Sequence, residues 1–74
     1  MIIGMKNKFG QRLRELRKAQ GLSMKQLSLA VGIADSCISR WENGQTIVNA
    51  DQLIIFSKFF NVSVDYLLGL RDFD

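Results

Sequence analysis

The chain has 74 residues and a formal net charge of +3. Its length predicts one small domain over residues 1–74. It has no histidine and a single cysteine, so neither a zinc site nor an internal disulfide is expected. Its hydrophobic fraction of 47% is too high for a disordered chain. The apolar stretch at the N-terminus covers only five residues, too short for a membrane span or a signal peptide. Since a single unpaired cysteine also suits a reducing cytosol, we expect a cytoplasmic protein.

Apolar residues at helical spacing, separated by glycine and asparagine, predict three short helices in the first part of the chain. Capping residues give the ranges Asn7 to Gln20, Ser23 to Gly32, and Ala34 or Asp35 to Gly44. The second helix has a glutamine at its capping-box position. The predicted inward positions of the first helix are Phe9, Leu13, Leu16 and Ala19.

Two further helices are predicted after the loop QTIV. Asn49 is expected to cap the segment ADQLIIFSKFF, which Asn61 ends, and Ser63 is expected to cap VDYLL before Gly69. Residues 70–74 are expected to fray. No segment alternates in polarity with period two over a useful length, so the prediction is an all-α fold of five short helices.

The second and third predicted helices are short and are joined by a tight turn at Gly32. This is the helix-turn-helix arrangement, here over about residues 23–43. Small Ser28 suits the crowded place where the two helices cross. Five apolar residues are predicted to anchor the motif in the core: Leu27, Val31, Ile33, Ile38 and Trp41.

Charge is distributed unevenly along the chain. Residues 1–48 carry eight basic and three acidic side chains, whereas residues 49–74 carry two basic and four acidic ones. A basic half indicates a polyanionic partner such as nucleic acid. Solvated helix faces produce the same pattern, so charge alone leaves both interpretations open.

The stretch LSMKQLSLAVGIADSCISRWENG, followed by LIIFSKFFNVSVDYLLG, resembles the phage-repressor and Cro-like helix-turn-helix family, often called the XRE type. The resemblance extends from about Phe9 to Gly69. It implies a five-helix, lambda-repressor-like domain that binds double-stranded DNA as a homodimer on an operator with two half-sites. In such proteins the third helix enters the major groove and the second crosses the phosphate backbone.

The resemblance implies two sets of DNA contacts. Base edges would be met by the polar side of the third helix: Asp35, Ser36, Ser39 and Arg40. Phosphates would be met by the second helix and by the loop after the third: Ser23, Lys25, Asn43, Gln45 and Thr46. Two features depart from the family pattern. The loop has no Lys or Arg, and Met24 stands where a glutamine is common.

Some residues keep two interpretations. Asp35 either reads a base or caps the third helix. Cys37 is either a small packing residue or a redox-sensitive thiol, and Trp41 either packs in the core or stacks on bases. The resemblance implies that Arg17 and Glu42 form a partly buried ion pair between the first helix and the end of the third. The alternative is two unrelated surface charges.

The fourth predicted helix has more apolar residues than one face can bury. Its core face is predicted to consist of Leu53, Phe56 and Phe60. Ile54, Ile55 and Phe59 then point partly outward. We expect Ile55 and Phe59 to form a two-fold contact with help from the apolar leader, which contains Met1, Ile2, Ile3 and Met5. The alternative is that the leader covers this patch within one chain.

The leading prediction is a sequence-specific DNA-binding transcriptional regulator, a repressor of the phage or mobile-element type. The alternative is an antitoxin-like or anti-repressor interaction module that does not read DNA tightly. An enzyme is not expected, because the chain has no histidine, no paired-carboxylate pattern and no phosphate-cradling glycine loop. No cofactor, small-molecule ligand or membrane partner is expected.

Overall fold

The computed structural model describes residues 8–72, which form five α-helices joined by short loops. In chain order they are α1 (Phe9–Ala19), α2 (Met24–Val31), α3 (Asp35–Glu42), α4 (Ala50–Phe60) and α5 (Val64–Leu68). Helix α1 packs on α3 and α5, α2 packs on α3 and α4, and α4 packs on α5. The all-α prediction is confirmed. None of these five helices is long and apolar enough to cross a membrane.

Side-chain caps fix three of the helix starts. Ser23 Oγ accepts from the Gln26 N–H at 3.0 Å, and Gln26 Oε1 accepts from the Ser23 N–H at 2.8 Å, which completes a capping box at α2. Asn49 and Gln52 form the same box at α4, and the Ser63 hydroxyl caps α5. Each bond satisfies an N–H that the first helical turn leaves unpaired. The predicted caps at Ser23, Asn49 and Ser63 are confirmed.

Two details of α1 differ from the prediction. The helix begins at Phe9, with Lys8 at the N-cap position and no side-chain cap. The predicted cap, Asn7, lies outside the described residues, as does the apolar leader. Ala19 is exposed rather than inward. Its single methyl group loses little when it is left in water, so apolar spacing is a weak guide to its environment.

A cluster of aromatic rings joins α1, α3 and α4. Phe56 is fully buried, and its ring centroid lies 5.8 Å from that of Phe9 and 5.7 Å from that of Trp41. Phe9 and Trp41 meet edge to face at 5.9 Å, a favoured arrangement of aromatic rings. Trp41 is therefore a core residue and is not available to stack on bases. The other buried apolar residues are Leu13, Leu27, Ile38, Val48, Phe60 and Leu67.

Helix α5 and the chain after it pack beside α1. The guanidinium carbon of Arg12 lies 4.2 Å from the ring centroid of Tyr66, which is a cation–π contact. Arg12 Nη2 is also 3.8 Å from a carboxylate oxygen of Asp72. The Leu70 N–H donates to the Asp65 carbonyl at 2.9 Å. These contacts connect residues 70–72, the first part of the predicted tail, to the helices.

Candidate nucleic-acid interface

Helix α2, a tight turn and α3 form a helix-turn-helix. Gly32 ends α2 with a φ of 74°, in the left-handed region that glycine adopts without strain. Its N–H donates to the Ser28 carbonyl at 2.9 Å, and the Ile33 N–H reaches the same carbonyl at 3.3 Å. Leu27 of α2 and Ile38 of α3 are both fully buried. The turn and these two side chains fix the position of α3 relative to α2.

Helix α3 has one buried and one polar face. Ile38 and Trp41 hold it to the core. The four residues predicted to meet base edges lie on the other side, the first three exposed and the last half-buried: Asp35, Ser36, Arg40 and Ser39. Ser36 and Arg40 are four residues apart and are therefore neighbours on the helix surface. The fold thus presents a short strip of hydrogen-bonding groups to solvent.

Asp35 occupies the first position of α3 but does not cap the helix. Ala34 is the N-cap residue, and no side chain caps this helix start. The capping interpretation of Asp35 is therefore wrong. Its carboxylate still lies in the first turn, where the helix dipole favours an anion. It remains exposed at the N-terminal end of α3.

Cys37 is half-buried and packs against the core, so its interpretation as a small packing residue is confirmed. Its Sγ lies 3.7 Å from Nη2 of Arg40, one turn further along α3. No group of His, Cys, Asp and Glu suited to a metal ion occurs between residues 8 and 72. The Arg40 side chain is exposed and has no carboxylate partner among these residues.

The ion pair implied by the resemblance is present at the end of α3. Arg17 Nε donates to Glu42 Oε2 at 2.7 Å and Arg17 Nη2 donates to Oε1 at 3.0 Å. Arg17 Nη1 also donates to the Leu22 carbonyl at 2.9 Å. The Glu42 side chain is 0% exposed, so this fork–fork pair joins α1, the α1–α2 connection and α3 inside the protein.

The Glu42 carboxylate raises the pKa of Arg17 above its already high ordinary value, through its hydrogen bonds first and its charge second; burial acts in the opposite direction. A raised pKa means that the arginine's contribution to stability is fully present at lower pH and is lost only as the pH rises through that value. We therefore attribute no change of stability near neutral pH to Arg17.

Arg14 was not singled out from the sequence, yet it belongs to the same cluster. Its Nε donates to Glu42 Oε1 at 3.3 Å, and its Nη2 donates to Asn43 Oδ1 at 3.2 Å. Asn43 Nδ2 in turn donates to Ser39 Oγ at 3.4 Å. The available signal was the spacing of Arg14 and Arg17, which puts two guanidinium groups on one side of α1.

The residues predicted to contact phosphates are all exposed and lie in two segments: Ser23 and Lys25 at the start of α2, and Asn43, Gln45 and Thr46 after α3. The Ser23 oxygen already accepts from the backbone of α2, so only its proton is free for a phosphate oxygen. The Gln45 N–H donates to the Arg40 carbonyl at 2.8 Å, which ties the loop to the end of α3.

Gly10 sets how closely α1 and α3 approach each other, a role that its place in the sequence does not reveal. A Cβ built on Gly10 would overlap the carbonyl oxygen of Trp41 and would lie 3.0 Å from its carbonyl carbon. It would also lie 3.3 Å from the Cα of Glu42. The backbones of α1 and α3 therefore touch at this point, and only glycine fits between them.

These elements define a class of small all-α proteins built around a helix-turn-helix. Residues 13–67 match the family described as Helix-turn-helix, and the chain belongs to this family of transcriptional regulators, in its phage-repressor, XRE-like branch. It is 47% identical over 62 residues to the uncharacterized regulator YobD of Bacillus subtilis, covering 84% of this chain and 55% of YobD. It is 37% identical over 59 residues to repressor protein C2 of Salmonella phage P22, covering 80% of this chain and 27% of C2. The chain thus spans about half of YobD and about a quarter of C2.

Solved structures give the same fold. The restriction-modification controller protein C.AhdI from Aeromonas hydrophila matches with a TM-score of 0.75 at 34% identity, over 88% of this chain and 98% of that one. The P22 c2 repressor, solved in complex with a synthetic operator, matches with a TM-score of 0.75 at 37% identity, over 81% and 91% of the two chains. The lambda-repressor-like fold predicted from the sequence is confirmed.

Proposed function

We propose that this chain is a sequence-specific DNA-binding repressor that occupies an inverted-repeat operator as a homodimer. Two recognition helices would enter successive major grooves, with half-site centres about one helical turn apart. Occupancy of the operator would exclude polymerase from an overlapping promoter. The repressor type of the phage C2 relative, and its solved complex with an operator, support this proposal.

The polar face of α3 is the observation that carries the proposal. Arg40 and Ser36 are exposed on a helix whose opposite face is anchored by Ile38 and Trp41. An exposed guanidinium can donate two parallel hydrogen bonds to guanine O6 and N7, and hydroxyl groups can donate or accept at base edges. Asp35, which does not cap α3, has a carboxylate that can accept from cytosine N4.

The proposed phosphate contacts flank this face. Lys25 and the Ser23 hydroxyl lie at the start of α2, the helix that crosses the backbone in this architecture. Asn43, Gln45 and Thr46 lie just beyond the C-terminal end of α3. Contacts on both sides of a recognition helix set its register on the duplex without reading sequence.

Replacing Arg40 with alanine tests the base-reading role. We expect the affinity for the operator to fall by about 1–3 kcal/mol, because one bidentate base contact is lost. The affinity for random-sequence DNA should fall much less, since only one positive charge is removed. Fluorescence anisotropy titrations on both duplexes measure the difference. Unchanged affinity for the operator would show that Arg40 does not read a base.

We also propose that α4 supplies the two-fold contact of the dimer. Ile55 and Phe59 are 38% and 37% exposed, and they are neighbours on the helix surface. Ile54, the preceding residue, is also exposed. An apolar patch on a small domain is a typical protein contact, and a two-fold interface would pair the patch with itself.

Replacing Phe59 with lysine is expected to weaken the dimer at least about tenfold, because a charge would be buried opposite its own symmetry mate. Sedimentation equilibrium measures the association constant, and circular dichroism checks the fold. Leu29→Lys is the matched control, since Leu29 is an exposed apolar residue on a different helix. Unaltered association of the Phe59 variant would place the dimer contact elsewhere.

An antitoxin-like or anti-repressor interaction module is the second candidate. Ile47 favours it, because this side chain is 87% exposed in the loop after α3, where a DNA reader benefits from polar or basic groups. The salt dependence of DNA binding separates the two functions. A DNA reader loses affinity steeply as salt rises, because phosphate contacts release counterions.

A further inference from the structure

If the loop after the recognition helix lies on DNA, it has no positively charged side chain to contact the phosphates. Residues 43–49 include no Lys or Arg. The negative end of the α3 dipole points into the same place, where the last carbonyl groups of the helix lie. A phosphate group approaching this end needs a cation, and the loop itself supplies none.

Arg14 reaches this place from a different helix. Its Nη2 lies 3.2 Å from Oδ1 of Asn43, the C-cap residue of α3, and its Nε lies 3.3 Å from the Glu42 carboxylate. Asn43 donates from its Nδ2 to Ser39 Oγ. The Arg14 guanidinium therefore lies beside the last turn of α3, although it is 28 residues away from Glu42 in sequence.

The charges of the cluster leave Arg14 as the unneutralised cation. Among residues 8–72, the Glu42 carboxylate is the only anion beside the two guanidinium groups of this cluster. Arg17 donates two hydrogen bonds to it, at 2.7 Å and 3.0 Å. Arg14 makes only the single, longer contact at 3.3 Å. The three groups together carry one net positive charge, and it lies on the solvent side of the cluster.

The two arginine side chains also differ in how much of their surface is exposed to solvent. The Arg14 side chain is 44% exposed, whereas the Arg17 side chain is 11% exposed. Arg14 Nη1 has no hydrogen-bond partner among residues 8–72. A guanidinium offers five N–H donors, so several remain for an incoming oxygen. Arg14 is thus held in place by Glu42 and Asn43 and still has donors facing water.

We propose that Arg14 binds a DNA phosphate at the C-terminal end of the recognition helix, together with the amide of Asn43. The inference rests on the proposed DNA-binding function and adds to it a contact from α1. It accounts for the absence of basic residues in the loop, because the cation comes from another helix. Since phosphates carry no sequence information, Arg14 sets affinity and register rather than base preference.

The test is the salt dependence of binding by an Arg14→Gln variant, which keeps a hydrogen-bond donor for Asn43. The probe is a labelled duplex carrying the sequence enriched from random DNA, with a mixed-sequence duplex beside it. Losing one phosphate contact lowers the slope of log affinity against log salt by about 0.9 for each bound subunit. Between about 50 and 200 mM salt, the variant should therefore lose about threefold less affinity per subunit than the wild type.

Two further variants distinguish a phosphate contact from a structural role. Arg14→Lys keeps the charge and should restore the wild-type slope, whereas loss of a purely structural contact would not be rescued in this way. Lys58→Gln removes the same charge from an exposed position on α4 and should leave the slope nearly unchanged. A wild-type slope in Arg14→Gln, or an equal fall in Lys58→Gln, overturns the proposal for Arg14 alone.

The mixed-sequence duplex separates this inference from the proposed function. If the wild type enriches no sequence but Arg14→Gln still lowers the slope on mixed DNA, the phosphate contact stands and sequence-specific reading falls. If the wild type binds neither duplex with a measurable salt dependence, both proposals fall together.

Discussion

Gly10→Ala is expected to lower the free energy of unfolding by about 3 kcal/mol or more, although alanine is the better helix former by about 1 kcal/mol. The steric effect wins because the added Cβ would overlap the backbone oxygen of Trp41, which cannot move without displacing α3. For a domain of this size the loss corresponds to a fall in Tm on the order of 15 °C. Thermal and urea unfolding followed by circular dichroism measure it.

Gln11→Ala provides the control for Gly10→Ala. It introduces the same residue at the next position of α1, where the side chain is exposed and makes one surface hydrogen bond to Glu15. We expect its effect to stay within about 0.5 kcal/mol. If Gly10→Ala proved as stable as the wild type, the close approach of α1 and α3 would be wrong, and with it the position of α3.

Glu42→Leu is expected to cost about 3–5 kcal/mol, because it leaves the Arg17 guanidinium buried without its anion. Arg17 gives up two hydrogen bonds to the carboxylate and keeps only the one to the Leu22 carbonyl. Urea unfolding gives the difference in the free energy of unfolding. The loss should be similar across neutral pH, since an arginine stays protonated there with or without the neighbouring carboxylate.

A double-mutant cycle with Arg17→Met separates the pair from its surroundings. The double variant removes both charges and leaves apolar side chains in their place, so it should be more stable than Glu42→Leu alone. We expect a coupling energy of about 2 kcal/mol or more between the two positions. Additive effects of the two substitutions would contradict a tightly coupled pair, however short the distances between their atoms.

Three helix starts and the end of α4 are predictable from sequence because local chemistry decides them. Ser23, Asn49 and Ser63 each cap the helix that their position in the sequence indicates. Asn61, with a φ of 57°, ends α4 in the left-handed conformation that asparagine tolerates better than most residues. The capping bonds join residues three apart, so the sequence contains both partners of each one.

Long-range contacts were less accessible to sequence reasoning. Gly10 looks like an ordinary helical glycine until α3 is placed against it. In the sequence, Arg14 looks like a solvated arginine, but in the fold its guanidinium donates to Glu42 and Asn43. In both cases the partner is about 30 residues away along the chain, and only the packing of α1 on α3 brings the two together.

The candidate site is partly predictable from sequence, because local helical spacing decides which side of α3 is buried. The spacing of Ile38 and Trp41 assigns the buried face of α3, and the remaining face follows by helical geometry. Whether Asp35 caps α3 depended on where the helix begins, and a shift of one residue decided it. Helix boundaries of this kind are the least certain part of a sequence-based prediction.

Selection of binding sites from random duplex DNA at near-physiological salt tests the central proposal most directly. A dimeric reader should enrich an inverted repeat whose half-site centres lie about one helical turn apart. Base preferences at the half-sites should relax in the Arg40→Ala variant. A folded, soluble protein that enriches no sequence would contradict the proposed function and favour an interaction module with a protein partner.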